Sequence, residues 1–127
     1  MNSLVFIVDD DPFHCKIVSN ILAKNEINNV KILNSGEDCL QHLDQQPNLI
    51  FLDYEMSGMN GIDVLNKVKY SSPNTTVVMI SAQEKVEVAI NAIKLGAFNY
   101  VVKNQNLFEN INKTINELRQ LTILSEV

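Results

Sequence analysis

The run Asn48-Leu49-Ile50-Phe51-Leu52-Asp53 constrains this chain more than any other stretch. Four apolar residues follow one another without a break and end at a carboxylate. Pro47 precedes the run, and Tyr54-Glu55-Met56-Ser57-Gly58-Met59-Asn60-Gly61, with two glycines, follows it. A short continuous apolar run between turn signals reads as a strand buried on both faces, the condition of a covered parallel sheet. A carboxylate at the C-terminal end of such a strand stands where open α/β sheets place their ligands. Asp53 is therefore the first candidate functional residue.

The same pattern recurs along the chain. Leu4-Val5-Phe6-Ile7-Val8 ends at Asp9-Asp10-Asp11, and Thr76-Val77-Val78-Met79-Ile80 ends at Ser81-Ala82. Val30-Lys31-Ile32-Leu33 is a shorter strand, and Tyr100-Val101-Val102 ends at Lys103. Between these runs apolar residues recur at offsets of three and four, the mark of helices with one buried stripe. Pro12 suits a first helical position and Asp11 an N-cap, so a helix is expected over Pro12–Lys24 with Phe13, Val18, Ile17, Ile21 and Leu22 as its stripe. Ser35 caps a second helix carrying Cys39, Leu40 and Leu43. Ile62, Leu65 and Val68 mark a third. Val86, Ala89, Ile90 and Ile93 mark a fourth, closed by Gly96. Leu107, Phe108, Ile111, Ile115 and Leu118 mark a fifth. Five alternating strand-helix units predict a doubly wound α/β domain over residues 1–127, with five parallel strands, right-handed crossovers and helices on both faces.

Bulk properties narrow the function. The 127 residues suit one domain, and a net charge of −5 argues against a grip on nucleic acid phosphates or an anionic membrane surface. Cys15 and Cys39 lack metal-ligand spacing, and reduced thiols in a cytoplasmic protein are expected. Met1-Asn2-Ser3 has neither a basic run nor a small-residue cleavage site, so no signal peptide is expected there. The apolar runs fall far short of the ~20 residues of a membrane helix.

In a parallel sheet all strand C-termini share one edge. Asp9 and Asp10, Asp53, Ser81 and Lys103 therefore converge. Three close carboxylates repel one another and tend to hold protons, a penalty that a divalent cation removes. Oxygen ligands with room for water suit Mg²⁺. A carboxylate nucleophile beside Mg²⁺, an ammonium and a hydroxyl suits phosphoryl transfer.

At these residues the chain resembles the response-regulator receiver domains of two-component signalling, over essentially its full length. The matching motifs are Val8-Asp9-Asp10-Asp11, Leu52-Asp53-Tyr54-Glu55-Met56 with Gly58 and Gly61, Ile80-Ser81-Ala82, and Gly96-Ala97-Phe98-Asn99-Tyr100-Val101-Val102-Lys103. The resemblance implies a flavodoxin-like sheet in the order 2-1-3-4-5, an order familiar for this fold type. It implies that Asp53 accepts a phosphoryl group from a sensor histidine kinase or histidine phosphotransfer protein, in a protein that is not otherwise an enzyme. Asp9 and Asp10 would form the acidic pocket for Mg²⁺, with Asp10, Asp53 and the Glu55 backbone carbonyl as direct ligands. Ser81 would hydrogen-bond the phosphoryl group and Lys103 would pair with it. Ser81 and Tyr100 would switch on activation, and Glu55 and Gln83 would tune the lifetime of the phosphoryl group.

The chain departs from the family in two places. Ser57 stands where many receivers have Pro, a change expected to alter only loop stiffness. Asn104 stands where many have Pro after the lysine, which leaves the geometry of the Lys103–Asn104 peptide open. His14 and His42 have no carboxylate partner nearby in sequence and are expected to be exposed, and both cysteines to be packing residues. Leu121, Ile123 and Leu124 extend the apolar content beyond what the sheet covers, and would meet a second copy or a downstream effector domain. Rival readings are a phosphorylation-independent scaffold on the same fold and a small phosphatase of the haloacid dehalogenase type, with Asp9-Asp10-Asp11 as its Asp-x-Asp. A nucleotide-binding module lacks its glycine-rich phosphate cradle here.

Overall fold

A computed structural model of the chain describes residues 3–125. Its elements are β1 (Val5–Val8), α1 (Pro12–Lys24), β2 (Val30–Leu33), α2 (Gly36–Gln41) with a 3₁₀ turn at Leu43–Gln45, β3 (Leu49–Asp53), α3 (Gly61–Ser71), β4 (Thr76–Ser81), α4 (Val86–Lys94), β5 (Asn99–Val102) and α5 (Leu107–Gln120). The strands form one sheet in the order β2-β1-β3-β4-β5, every neighbouring pair parallel, as expected.

Strand alternation divides the core in two. Val5, Ile7, Leu49 and Phe51 face α1 and α5, where they meet Val18, Leu22, Ile111, Ile115 and Leu118. Phe6, Val8, Ile50 and Leu52 face the other way, onto Cys39, Val64, Leu65 and Val68 of α2 and α3 and Ala92 of α4. The period of two explains why β1 and β3 carry unbroken apolar runs, since both faces are covered. Each fully buried Val, Leu, Ile or Phe contributes roughly 1.5–3 kcal/mol of transfer free energy.

The register aligns the functional edge. Val8 pairs with Leu52 and Asp53 with Ile80, so the β1, β3 and β4 ends stand side by side. Gly61 then draws α3 in close behind Asp53. A β-carbon there would sit 2.6 Å from the Asp53 carbonyl oxygen and 2.7 Å from Tyr54 Cα. Only a residue without a side chain allows that approach.

Helical spacing misplaces several apolar residues. Phe13 is 72% exposed, because it lies about 200° around α1 from the buried Cys15. On α4 only Ala92 is buried, while Val86, Ile90 and Ile93 lie on the solvent side. Phe108 is likewise exposed, whereas the other four expected positions of α5 are buried. Leu124, expected on a free surface, is 3% exposed and belongs to the core beside α5. The chain reverses after Gln120 through Thr122 at φ 60°, and the Ile123 and Leu124 amides donate to the Leu118 carbonyl. Of the expected terminal patch, Leu121 stays exposed. The Lys103–Asn104 peptide is trans.

Candidate functional site

Asp9, Asp10, Asp53, Glu55, Ser81, Gln83 and Lys103 each sit at a strand end or in the loop that follows it, and Tyr100 lies within β5. Asp53 closes β3 and Asp9 follows β1; both are 3% exposed, whereas Asp10 faces solvent. One carboxylate oxygen from each of the three lies within 4.8 Å of the others. Lys103, directly after β5, brings Nζ to 2.8 Å from Asp53 Oδ1 and 3.4 Å from Asp9 Oδ2. The convergence expected of Asp9, Asp10, Asp53 and Lys103 is therefore present, and Ser81 closes β4 with no exposed surface.

Asp9 is fully engaged. Its Oδ1 accepts the Asp11 amide at 2.9 Å, and its Oδ2 faces His14 Nδ1 at 2.9 Å as well as Lys103. Burial pushes the Asp9 carboxyl up, but the His14 bond, the Asp11 amide and the Lys103 charge outweigh it and hold the group below the usual carboxylate value. His14 is therefore not the exposed, unpartnered residue its sequence suggested. Its side chain is only 11% exposed. With Asp11 as N-cap, His14 is the third residue of α1, the position whose side chain reaches back across a helix start. That position was the available signal. Among the described residues His42 has no carboxylate partner; its Nδ1 lies 2.8 Å from the Asp38 carbonyl.

Asp53 is different. Burial pushes its carboxyl up to about 6, Lys103 opposes the shift, and the Asp9 charge adds to it. Its Oδ1 is buried, and the Lys103 ammonium reaches it at 2.8 Å as an ion pair. For Lys103, burial works against its charge, but Asp53 and Asp9 together hold the ammonium above its usual value. Three carboxylates that each bring one oxygen within 4.8 Å of the others, two of them buried and one exposed, form an all-oxygen donor set suited to Mg²⁺.

A second layer spans the mouth. Ser81 Oγ accepts the Gln83 amide at 2.9 Å, and Gln83 Nε2 donates to Glu55 Oε2 at 3.2 Å. Tyr100 donates its hydroxyl to the Gln83 backbone carbonyl at 2.8 Å. Burial holds the Tyr100 hydroxyl above its usual value. Ser57, expected to affect loop stiffness alone, donates both its amide (3.0 Å) and its hydroxyl (3.1 Å) to Asp10 Oδ2. No periodicity or motif signals that contact, which depends on the path of the β3–α3 loop. Cys15 and Cys39 are buried, and burial pushes their thiols up to about 11 and about 12, so both are inert packing groups.

Residues 5–116 match the family described as the response regulator receiver domain. The chemotaxis protein CheY of Bacillus subtilis is 31% identical over 116 residues, covering 88% of this chain and 97% of that protein. The transcriptional regulatory protein ZraR of Escherichia coli is 34% identical over 112 residues, covering 87% of this chain. The aligned region is only 25% of ZraR. The beryllofluoride-activated receiver domain of DrrB, a Thermotoga maritima protein, superposes with a TM-score of 0.83 at 26% identity, covering 94% of this chain and 99% of that one.

Proposed function

The chain belongs to the response regulator receiver domain family, and from that premise we propose that Asp53 is the phosphoacceptor of a two-component phosphorelay. Receiver domains are generally signalling modules and not enzymes, and the proposed chemistry is confined to Asp53 itself. The observation that carries the reading is the buried Asp53 carboxylate at the end of β3, with an oxygen of Asp9 and of Asp10 within 4.8 Å and Lys103 Nζ at 2.8 Å. Such a carboxylate is held in place among like charges, which suits a nucleophile awaiting charge neutralisation.

The phosphoryl group would come from a phosphohistidine on a sensor histidine kinase or histidine phosphotransfer protein. The P–N bond breaks and its electron pair stays on the imidazole nitrogen. A bond forms between phosphorus and an Asp53 carboxylate oxygen, giving an acyl phosphate. Lys103 Nζ is placed to pair with the new anionic oxygens, and Ser81 Oγ–H to donate to one once it leaves Gln83. Asp9, Asp10, Asp53 and the Glu55 backbone carbonyl would hold Mg²⁺. When bound, the ion supplies charge neutralisation for the incoming phosphoryl oxygens. Glu55 and Gln83, joined across the mouth, would govern access of the hydrolytic water. Tyr100, tied to Gln83, and Ser81 would report the phosphorylated state outward.

The reading takes residues 1–127 as one receiver domain acting in the cytoplasm. No helix among the described residues is long and apolar enough to cross a membrane. Output would pass to a second copy or a downstream effector. Exposed Leu121, directly after α5, supports the α5 end as that surface. The test is intact-mass spectrometry with Mg²⁺ and acetyl phosphate. One base-labile phosphoryl group is expected on the wild type and none on Asp53→Asn; an unchanged gain in the variant would move the site elsewhere.

A further inference from the structure

Asp10 is the exposed member of the carboxylate cluster, on the turn between β1 and α1. An exposed aspartate ordinarily turns freely about its side-chain torsions, and a metal that uses it must first order it. Here it is already ordered. Ser57, 47 residues away, sends two donors to one oxygen: its amide at 3.0 Å and its hydroxyl at 3.1 Å, both on Oδ2. A carboxylate oxygen has two lone pairs, so these donors fill Oδ2 and leave Oδ1 open as a ligand atom. Ser57 also lies two residues beyond Glu55, whose carbonyl belongs to the proposed Mg²⁺ set. The two bonds thus tie the β3–α3 loop to the β1–α1 turn across the cation site.

We propose that Ser57 is a positioning residue for the divalent cation, presetting the Asp10 carboxylate and clamping the two loops before the ion arrives. This rests on the reading of Asp10 as a Mg²⁺ ligand. Partners that hydrogen-bond a ligating carboxylate fix its orientation, and their loss costs about 10–100-fold in metal affinity. Three substitutions grade the effect. Ser57→Thr keeps both donors, Ser57→Ala keeps the amide, and Ser57→Pro keeps neither, because proline has no N–H.

The experiment is Mg²⁺ titration of the full chain by isothermal calorimetry, with amide NMR shifts of residues 9–10 and 53–57 as a second readout. Wild type and Ser57→Thr are expected to bind alike. Ser57→Ala should bind several-fold more weakly, and Ser57→Pro on the order of 10-fold or more weakly. Phosphorylation by acetyl phosphate should need more Mg²⁺ to reach half its maximal rate in these two variants. The maximal rate should change less than that requirement. Should Ser57→Pro misfold by circular dichroism, the comparison of Ser57→Ala with Ser57→Thr decides. Binding by Ser57→Ala as tight as wild type, or tighter, overturns the positioning role while leaving the Mg²⁺ site intact. No Mg²⁺ binding by the wild type overturns the site reading and this inference with it.

Discussion

The Lys103 ammonium stands 2.8 Å from Asp53 Oδ1, and yet the Asp53 carboxyl is pushed up to about 6. One opposite charge does not offset both burial and the Asp9 carboxylate. The consequence for stability has a definite sign. The unfolded Asp53 loses its proton near 3.8, whereas the folded one keeps it to about 6. Between those values the native state binds more protons, so this group's contribution falls as pH rises through the window, and its cost is fully present above it. Asp53→Asn removes that ionisation with little change of shape. In EDTA, the variant should be the more stable protein at pH 7.5, by on the order of 2 kcal/mol. The gain should shrink as pH falls from about 6 towards 4. Urea midpoints at both ends of the window check this; an equal gain at pH 4 would mean that charge is not its cause.

Lys103 also neutralises part of the cluster that Mg²⁺ would occupy. Lys103→Met removes a cation held above its usual value by Asp53 and Asp9. Metal affinity should therefore rise, because the carboxylates lose a competing positive charge, while phosphorylation slows for want of a partner for the phosphoryl oxygens. Calorimetry and acetyl phosphate kinetics separate the two effects. Weaker Mg²⁺ binding in the variant would show that Lys103 orders the site and does not compete for it.

The strand-end residues were legible from sequence because both inputs to their placement are local. Apolar runs of strand length identify β1, β3 and β4, and the parallel register puts whatever follows them on one edge. Asp9, Asp53 and Ser81 follow from that rule alone, whereas Lys103, after the short β5, gains its role only from the resemblance to the receiver family. Ser57 and His14 do not, since their contacts depend on loop paths that no periodicity encodes. Helical spacing identifies a face but not the neighbour that covers it, so Phe13, Ile90 and Phe108 were assigned to stripes that solvent in fact reaches. Leu124 departs from its expected exposure because a left-handed residue at Thr122, with no glycine to announce it, folds the chain back onto α5.

His14 gives a stability prediction. Its Nδ1 lies 2.9 Å from Asp9 Oδ2, and the ring is mostly buried. His14→Ala removes that partner and leaves a cavity in the first turn of α1. Asp9 keeps the Asp11 amide and Lys103, so the loss should be limited to about 1–3 kcal/mol. Denaturant unfolding at pH 7 measures it. A change within experimental error would mean that the ring fills space without supporting Asp9.

Gln83 joins the site mouth to the sheet edge through both its side chain and its backbone. Its amide donates to Ser81 Oγ, its Nε2 reaches Glu55 Oε2 at 3.2 Å, and its carbonyl accepts the Tyr100 hydroxyl at 2.8 Å. On the proposed reading the side-chain bond would govern access of water to an acyl phosphate on Asp53, whereas the backbone bonds do not depend on the residue's identity. Removing the side chain should therefore change how long the phosphoryl group lasts without changing how much is accepted. Gln83→Ala and Glu55→Ala should each alter the dephosphorylation rate. Because they remove the same bond, the double variant should fall short of the summed effects in free energy. Tyr100→Phe deletes a different bond, to the carbonyl, and acts on loop position. Its effect on the decay rate should survive in the Gln83→Ala background, since the carbonyl remains. Decay rates of the wild type and of these five variants after removal of the phosphodonor give the effects. Strict additivity of Glu55→Ala and Gln83→Ala would show that the two side chains act independently in the phosphorylated state, and that the bond between them belongs to the resting form alone.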